Sequence, residues 1–235
     1  MLRKAIDKCG RDIVLSLSPG PAPVEEHKHL AENANLWRIT GDFWDEWDKL
    51  HDMFTRCFNW QEYVQEGAWP DCDMLPIGHL KVCPRQKVNK WKHYTYFTHD
   101  EQITMMTLWA IFRSPLMIGA EMRDNDEFTL SLLTNSELID MLKNSSGARQ
   151  FSRNETDGKG EIIWTSKGEN CKYVALFNTD DNVREIMFDI SDIAVGGTDY
   201  CVWDMWSHEE CAVTKDKFTA PVNSHGARLF KITVK

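Results

Sequence analysis

Side chains suited to sugar chemistry stand close together near residue 40. Arg38 and Asp42 are four residues apart within the stretch Asn35 to Leu50. Residues i, i+2 and i+4 of a strand share one face, so Arg38, Thr40 and Asp42 can point the same way. A carboxylic acid and a guanidinium that face one space suit a ligand rich in hydroxyl groups.

A simpler interpretation gives Asp42 a structural task. The apolar run Leu36 to Thr40 predicts a buried strand, and apolar residues then recur at helical spacing over residues 44–59. Asp is favoured as the cap residue before a helix, so spacing alone favours a capping Asp42. A strand, a turn and a helix form the βα unit of a parallel sheet, and in barrels of such units the chemistry occurs where strands end.

A second pair of carboxyl groups belongs to the next strand candidate. Asp71 and Asp73 lie within Trp69 to Leu75, with Met74 beside them. Carboxylates two residues apart on a strand share a face and could bind a cation. Hard cations need more oxygen ligands than this stretch supplies, so we expect neither a metal nor another cofactor.

Composition and charge exclude several classes of function. The net charge of −9 argues against nucleic acid as a partner, because phosphates need Lys and Arg patches. No run of 18 apolar residues predicts a membrane span. Residues 1–10 are charged throughout, which is not typical of a signal peptide, and localisation is left open.

The seven Cys lack a C-x-x-C pair, although Cys201 and Cys211 could form a bridge across a hairpin.

Strand candidates and helical stretches alternate through the first part of the chain. The strand candidates cover residues 12–18, 36–40, 69–75 and 116–119, and the helical stretches include 1–10, 25–35, 44–59 and 126–143. Thr98 and Glu101 fit a capping box, which predicts another helix start. This order predicts about four βα units, which is half of a (β/α)8 TIM barrel.

The pattern changes near residue 147. Short strands separated by Gly, Asn and Asp clusters are predicted over residues 162–164, 172–178, 183–190, 199–206, 218–222 and 228–234. Their spacing is typical of an antiparallel sheet or β-sandwich. We therefore expect an α/β domain over residues 1–146 and an antiparallel β domain over residues 147–235. The unpaired parallel strands of a half barrel would also favour self-association.

Three strings together resemble one enzyme family. The strings occur in this order along the chain: Trp37-Arg38-x-x-x-Asp42, Trp69-x-Asp71-x-Asp73-Met74-Leu75 and Ser114-Pro-Leu-Met-Ile-Gly119. They resemble the second half of the barrel of the α-galactosidase (melibiase-like) family of retaining glycoside hydrolases, and the resemblance extends from about Asp12 to the C-terminus. It implies the C-terminal half of a TIM barrel followed by a β-sandwich.

The resemblance also implies roles for individual residues. Asp42 matches the catalytic acid/base, Arg38 matches an arginine that contacts sugar hydroxyls, and Asp73 faces the sugar with Met74 and Asp71 nearby. Burial among Trp37, Phe43 and Trp44 would favour the protonated form of Asp42, whereas Arg38 would favour its carboxylate, and the sequence leaves this balance open. The family nucleophile, an Asp after a Lys-x pattern, has no match in this chain.

Specificity is expected to depend on Ser18. Family members that act on galactose have Glu there, and those that act on N-acetylgalactosamine have Ser, which leaves room for the acetamide. The Pro-Gly-Pro sequence after Ser18 could equally give the loop a different shape, in which case the comparison does not apply.

Two functions are therefore expected for the chain. The first is hydrolysis, with retention, of a terminal α-linked galactose or related sugar from an oligosaccharide or glycoconjugate. Retaining hydrolysis needs two carboxyl groups about 5–5.5 Å apart, so the nucleophile would come from a part not contained in this sequence. The second is a non-catalytic fragment or glycan-binding remnant, which would bind a sugar without cleaving it.

Overall fold

Parallel strands form the sheet of the first half of the chain. The computed structural model describes residues 1–18, 20–82, 92–193, 199–214 and 216–235. Strands β1 (Ser16–Leu17), β2 (Leu36–Arg38) and β3 (Trp69–Asp71) pair side by side in that order, and all pairs are parallel. An isolated parallel bridge then joins Leu75 to Ile118. Three of the four predicted strands are therefore present, each shorter than the sequence indicates, and the fourth, predicted over residues 116–119, is reduced to this single bridge. The three strands and the bridge form a parallel arc.

Six helices accompany these strands: α1 (Leu2–Cys9), α2 (His27–Asn33), α3 (Trp47–Trp60), α4 (His99–Phe112), α5 (Glu127–Thr134) and α6 (Ser136–Asn144). Short 3-10 turns at Val24–Glu26 and Gln61–Tyr63 adjoin α2 and α3, and β4 (His79–Leu80) pairs with β5 (His93–Tyr94). The apolar side of α1 is not covered, because none of its residues is buried. Among the described helices, none has the length and apolar character needed to cross a membrane.

Caps decide where several helices begin. The capping box predicted for α4 is confirmed, because Glu101 N–H donates to Thr98 Oγ1 at 3.2 Å and Thr98 N–H donates to Glu101 Oε2 at 2.8 Å. The single helix predicted over residues 126–143 is wrong. Asn135 adopts extended backbone and its side chain accepts the Leu138 N–H, so it ends α5 and caps α6.

The second half is antiparallel, as predicted. A six-stranded sheet has the order β11-β10-β13-β8-β7-β6, and a two-stranded sheet pairs β12 with β9. The strands are β6 (Ser146–Thr156), β7 (Lys159–Gly168), β8 (Cys171–Asn178), β9 (Arg184–Asp189), β10 (Tyr200–Asp204), β11 (Glu209–Thr214), β12 (Lys217–Val222) and β13 (Ala227–Val234), with a one-turn helix α7 (Ile190–Ile193) after β9. The sequence interpretation missed β6 and β11.

The proposed bridge between Cys201 and Cys211 is wrong. Both are free cysteines. A bulge in β11 shifts the register, so Cys201 lies opposite Val213, and Cys211 falls between the partners of Val202 and Trp203. The Cys201 thiol instead lies 3.2 Å from Glu210 Oε2, to which it donates.

Helix α4 connects the two halves. It is buried on almost all sides, and its apolar residues share one hydrophobic core with α3 and with one face of the six-stranded sheet. A second core fills the space between the two antiparallel sheets. Polar contacts also cross this junction: Thr104 Oγ1 donates to the carbonyl of His225 at 2.7 Å, and Trp206 Nε1 donates to Thr107 Oγ1 at 3.0 Å.

Replacing Asp204 with Ala is expected to reduce the free energy of unfolding by about 3 kcal/mol. The Asp204 carboxylate is 1% exposed and accepts hydrogen bonds from the Arg228 guanidinium and from the N–H groups of Trp206 and Ser207. Its removal leaves these donors unpaired inside the sandwich. Urea unfolding measures the loss. Asp7→Ala, which breaks an exposed pair with Arg3, is the control and should change stability by less than about 1 kcal/mol. Equal losses in the two variants would contradict the interpretation.

Candidate functional site

The ends of β2 and β3 bring the expected site residues side by side. The register places Arg38 opposite Asp71, and Ile39 N–H donates to the Asp71 carbonyl at 3.0 Å. Because Trp37 is fully buried on one face of β2, alternation places Arg38 on the other face. Parallel strands end at the same edge of a sheet, so the residues that follow β2 and β3 meet there.

The Arg38 guanidinium connects three segments of the chain. Its Nη2 lies 2.9 Å from Asp42 Oδ1 and 3.2 Å from Asp73 Oδ2. Its Nη1 donates to Ser18 Oγ at 3.3 Å. Three of the residues expected from the sequence (Ser18, Asp42 and Asp73), which follow β1, β2 and β3, therefore converge on the Arg38 cation.

Asp42 faces solvent and does not cap a helix. Helix α3 begins at Trp47 with Glu46 before it, so the capping interpretation of Asp42 is wrong. The expected burial is wrong as well, because the Asp42 side chain is 84% exposed while Trp37 and Phe43 are buried. The Asp42 carboxylate is held from one side by Arg38 and is open on the other.

Asp73 is fixed more tightly than Asp42. Its side chain is 13% exposed, and its Oδ2 accepts the Phe43 N–H at 2.8 Å as well as the contact from Arg38. Its backbone has φ of 77°, a left-handed conformation that costs a non-glycine residue about 1–3 kcal/mol. The Trp109 indole donates to the Asp73 carbonyl at 3.1 Å and supports this conformation.

Asp71 lies behind Asp73, away from solvent. It is 5% exposed, and its Oδ1 accepts the Asp73 N–H at 2.9 Å. Burial raises the pKa of Asp71, and the nearby charge of Asp73 raises it further; the hydrogen bond from Asp73 and the charge of Arg38 lower that pKa but do not outweigh burial.

Met74 and Ser18 lie at the margins of this cluster. The Met74 side chain packs against Gly119, where an added Cβ would stand 2.7 Å from Met74 Sδ. Ser18 is exposed at the end of β1, the outermost strand of the three-stranded sheet. The adjoining Pro19, which belongs to the Pro-Gly-Pro loop, lies outside the described residues.

One carboxylate oxygen of each acid in this pair is used by the protein itself. Asp71 accepts from Asp73, and Asp73 accepts from Phe43 and Arg38. Within the described ranges, no group of three or more His, Cys, Asp or Glu side chains has an arrangement that could hold a metal ion.

Two supports of the site were missed in the sequence. The Phe43 N–H and the Trp109 indole hold Asp73, and the sequence indicates only an apolar role for both residues. The proximity of Trp109 to Asp73 depends on how α4 packs below β3. No local pattern signals that contact.

Replacing Asp71 with Asn is expected to stabilise the fold more at pH 7 than at pH 3. The folded-state pKa of Asp71 is raised above its ordinary value of 3.8, so the folded state binds more protons in this range and stability falls as pH rises through the raised value. Asn keeps an oxygen that accepts the Asp73 N–H but cannot ionise. Each pKa unit corresponds to about 1.4 kcal/mol.

Thermal unfolding between pH 3 and pH 7 measures this effect. Asp52→Asn is the matched control, because Asp52 is an exposed residue paired with Arg56 on α3. The difference in unfolding temperature between Asp71→Asn and the parent chain should grow with pH. The unfolding temperature of the control should follow a pH curve parallel to that of the parent. Parallel curves for both variants would show that Asp71 carries no ionisation penalty.

Known proteins share both halves of this architecture. The family described as alpha galactosidase A matches residues 1–144, and the alpha galactosidase C-terminal beta sandwich domain matches residues 158–232. Alpha-galactosidase 2 of Arabidopsis thaliana is 25% identical over 99% of this chain and 54% of its own length. The alpha-galactosidase of Cyamopsis tetragonoloba is 25% identical over 85% of this chain and 45% of its own length.

Solved structures agree with these matches. A GH27 β-L-arabinopyranosidase from Geobacillus stearothermophilus, solved with arabinose, has a TM-score of 0.91 and 45% identity over 100% of this chain and 53% of that one. A putative alpha-N-acetylgalactosaminidase from Bacillus halodurans has a TM-score of 0.82 and 37% identity over 100% of this chain and 53% of that one. The chain thus spans about half the length of these relatives. Because the first family match covers more than half of its residues, the chain belongs to the alpha galactosidase A family of glycoside hydrolases.

Proposed function

We propose that this chain supplies the acid/base carboxyl group and part of the sugar site of a retaining glycosidase. The contact of Arg38 with Ser18, Asp42 and Asp73 carries the proposal, because it gathers hydroxyl-binding groups around one exposed carboxylate. This cluster stands where parallel strands end, which is the usual place for chemistry in barrels of βα units.

The parallel arc is proposed to be one half of a (β/α)8 barrel. Within the described residues β1 pairs only with β2, so its other edge is free to pair with a further parallel strand. Parallel sheets are normally covered and closed, and the relatives are about twice as long as this chain. In this arrangement residues 1–146 form the second half of the barrel domain, and residues 147–235 form the β domain packed against it.

Asp42 is proposed as the acid/base. In the first step a carboxylate from the other half of the barrel would attack the anomeric carbon while Asp42 protonates the leaving oxygen. In the second step Asp42 would remove a proton from the water that releases the sugar. The exposed side of the Asp42 carboxylate suits this task, because the leaving group and the water must both reach it.

Four residues are proposed to position the sugar: Arg38, Asp73, Asp71 and Met74. Arg38 offers guanidinium N–H groups, and Asp73 offers a fixed acceptor oxygen, so together they can pair with neighbouring hydroxyl groups. Asp71 would act through Asp73 by holding its backbone. Met74 would provide an apolar surface beside Gly119.

The proposed substrate is a terminal pyranoside with the configuration of galactose. The relatives named above act on α-galactosides, a β-L-arabinopyranoside or, putatively, an α-N-acetylgalactosaminide. β-L-Arabinopyranosides and α-D-galactopyranosides share their ring hydroxyl arrangement and differ in the hydroxymethyl group. The small Ser18 side chain beside Arg38 is consistent with a substituent larger than hydroxyl at the 2-position.

Replacing Asp42 with Asn tests this proposal. The enzyme for the test is a chimera in which the part of the Geobacillus arabinopyranosidase that this chain does not cover is joined to this chain. We expect the chimera to hydrolyse aryl α-D-galactopyranosides or β-L-arabinopyranosides, and Asp42→Asn to lower kcat/KM by about 10²–10⁴-fold. The loss should be smaller for aryl groups that leave without protonation. Added azide should restore turnover, and the product should be a glycosyl azide of retained configuration.

Two controls make the result specific. Asp52→Asn on α3 should leave activity unchanged, and the 235-residue chain alone should show no turnover. An active chimera in which Asp42→Asn and Asp52→Asn behave alike would refute the role of Asp42. Sugar binding without turnover by a well-folded chimera would favour the non-catalytic, glycan-binding alternative.

A further inference from the structure

A cluster of cations lies outside the proposed sugar site, on the six-stranded sheet. Lys167 and Lys172 face each other directly across the β7–β8 pair. Arg149 lies opposite Thr165, which is two residues before Lys167 on β7. Residues two apart on a strand, and residues directly opposite each other, share a face, so Arg149, Lys167 and Lys172 are on one face of the sheet.

These three charges are not balanced by the protein. None of them is within 4.0 Å of a carboxylate oxygen of any described residue, although the chain carries a net charge of −9. Like charges directly opposite on a sheet are destabilising. Burial and the neighbouring charges of Lys167 and Arg149 lower the pKa of Lys172, which reflects the same unfavourable crowding. The fold therefore tolerates a repulsion that a single Gln would remove.

The cluster borders a cavity of about 310 Å³ between the sheet and the turn that follows α3. Four cationic side chains line it (Arg113, Arg149, Lys167 and Lys172), against a single carboxylate, Glu62. Arg113 is already occupied, because its guanidinium donates to the carbonyls of Leu142 and Lys143. The cavity has roughly the volume of ten water molecules, so it can hold an organic group as well as an anion.

The wall of the cavity also offers an uncharged donor. Thr165 lies opposite Arg149 and two residues before Lys167, so its hydroxyl group is on the same face as the three cations. Ser166 alternates to the other face of β7, where its hydroxyl is buried without a hydrogen-bond partner among the described residues. Donors thus outnumber acceptors around this space.

We propose that this cavity binds an oxyanion, a phosphate, sulfate or carboxylate group, either free or carried by a sugar. Arg149, Lys167 and Lys172 would neutralise it, and the Thr165 hydroxyl group would add a further hydrogen bond. A bound anion removes the repulsion between the facing lysines, so its binding stabilises the sandwich. This site is independent of the proposed sugar site and of catalysis.

Calorimetric titration of the 235-residue chain with inorganic phosphate, at constant ionic strength, tests the proposal. We expect saturable binding that weakens by about tenfold or more in Lys172→Gln and in Arg149→Gln, the loss of one charge-assisted hydrogen bond. Lys217→Gln on β12 is the matched control and should bind as the parent does. Equal affinities for all four proteins, or the same heat from chloride, would overturn the site.

Thermal unfolding without phosphate supplies a second readout. Lys172→Gln should unfold at a higher temperature than the parent, because the repulsion from Lys167 is gone, and phosphate should then raise its unfolding temperature less than that of the parent. A lower unfolding temperature with an unchanged phosphate response would mean that Lys172 is only structural, which contradicts the proposal.

The source of the anion is identified by comparing the binding of three probes: galacturonate, galactose 6-phosphate and neutral galactose. Tighter binding of either anionic sugar than of inorganic phosphate would support a sugar-borne group, and tightest binding of phosphate would support a free anion. Equal binding of neutral galactose and the anionic probes would overturn the proposal, because charge would then play no part.

Discussion

The burial of α4 is the constraint on which the rest of the structure depends. Its residues contact α3, α6 and one face of the six-stranded sheet, so the parallel and antiparallel halves share one core. A helix that is apolar on all sides is stable only when it is covered on all sides. The same helix supports the proposed sugar site, because Trp109 donates its indole N–H to the backbone carbonyl of Asp73. Distortion of the junction would therefore reach the candidate site through one hydrogen bond.

Arg38 holds the residues of the candidate site together. It is 13% exposed and contacts groups from three neighbouring strand ends, whereas Asp42 is open to solvent. The two carboxylates consequently have different environments: Asp73 is held by backbone and guanidinium donors, and Asp42 is held only on one side. This difference suits a fixed hydrogen-bond acceptor and a proton-transferring acid, respectively.

Several features could be predicted from the sequence because they depend on local rules. The capping box at Thr98, the alternation of strands and helices and the change to antiparallel strands near residue 147 are of this kind. The contact of Arg38 with Asp42 was expected from spacing on one strand, but β2 ends at Arg38, so Asp42 reaches Arg38 from the segment after the strand. Its contact with Ser18 could not be derived in that way, because it depends on the register between β1 and β2.

The errors share a physical cause. Asn135 interrupts a run of leucines that otherwise continues helical spacing, so one helix was expected where two occur. Bulges in β6 and β11 break the two-residue period, which concealed β6 and misplaced Cys211 relative to Cys201. Asp42 was expected among aromatic side chains, but neighbours in sequence point away from it. In each case a departure from regular periodicity (an Asn cap, a bulge or the segment after a strand) decided the outcome.

The contact between Met74 and Gly119 limits how the margin of the proposed sugar site can vary. Residue 119 has no room for a β-carbon, since that atom would press on the Met74 sulfur at 2.7 Å and approach the Leu75 carbonyl at 3.1 Å. A single methyl group there would displace the Met74 thioether. The shape of the proposed sugar site could thus be altered by an apolar change at residue 119, with every polar residue left in place.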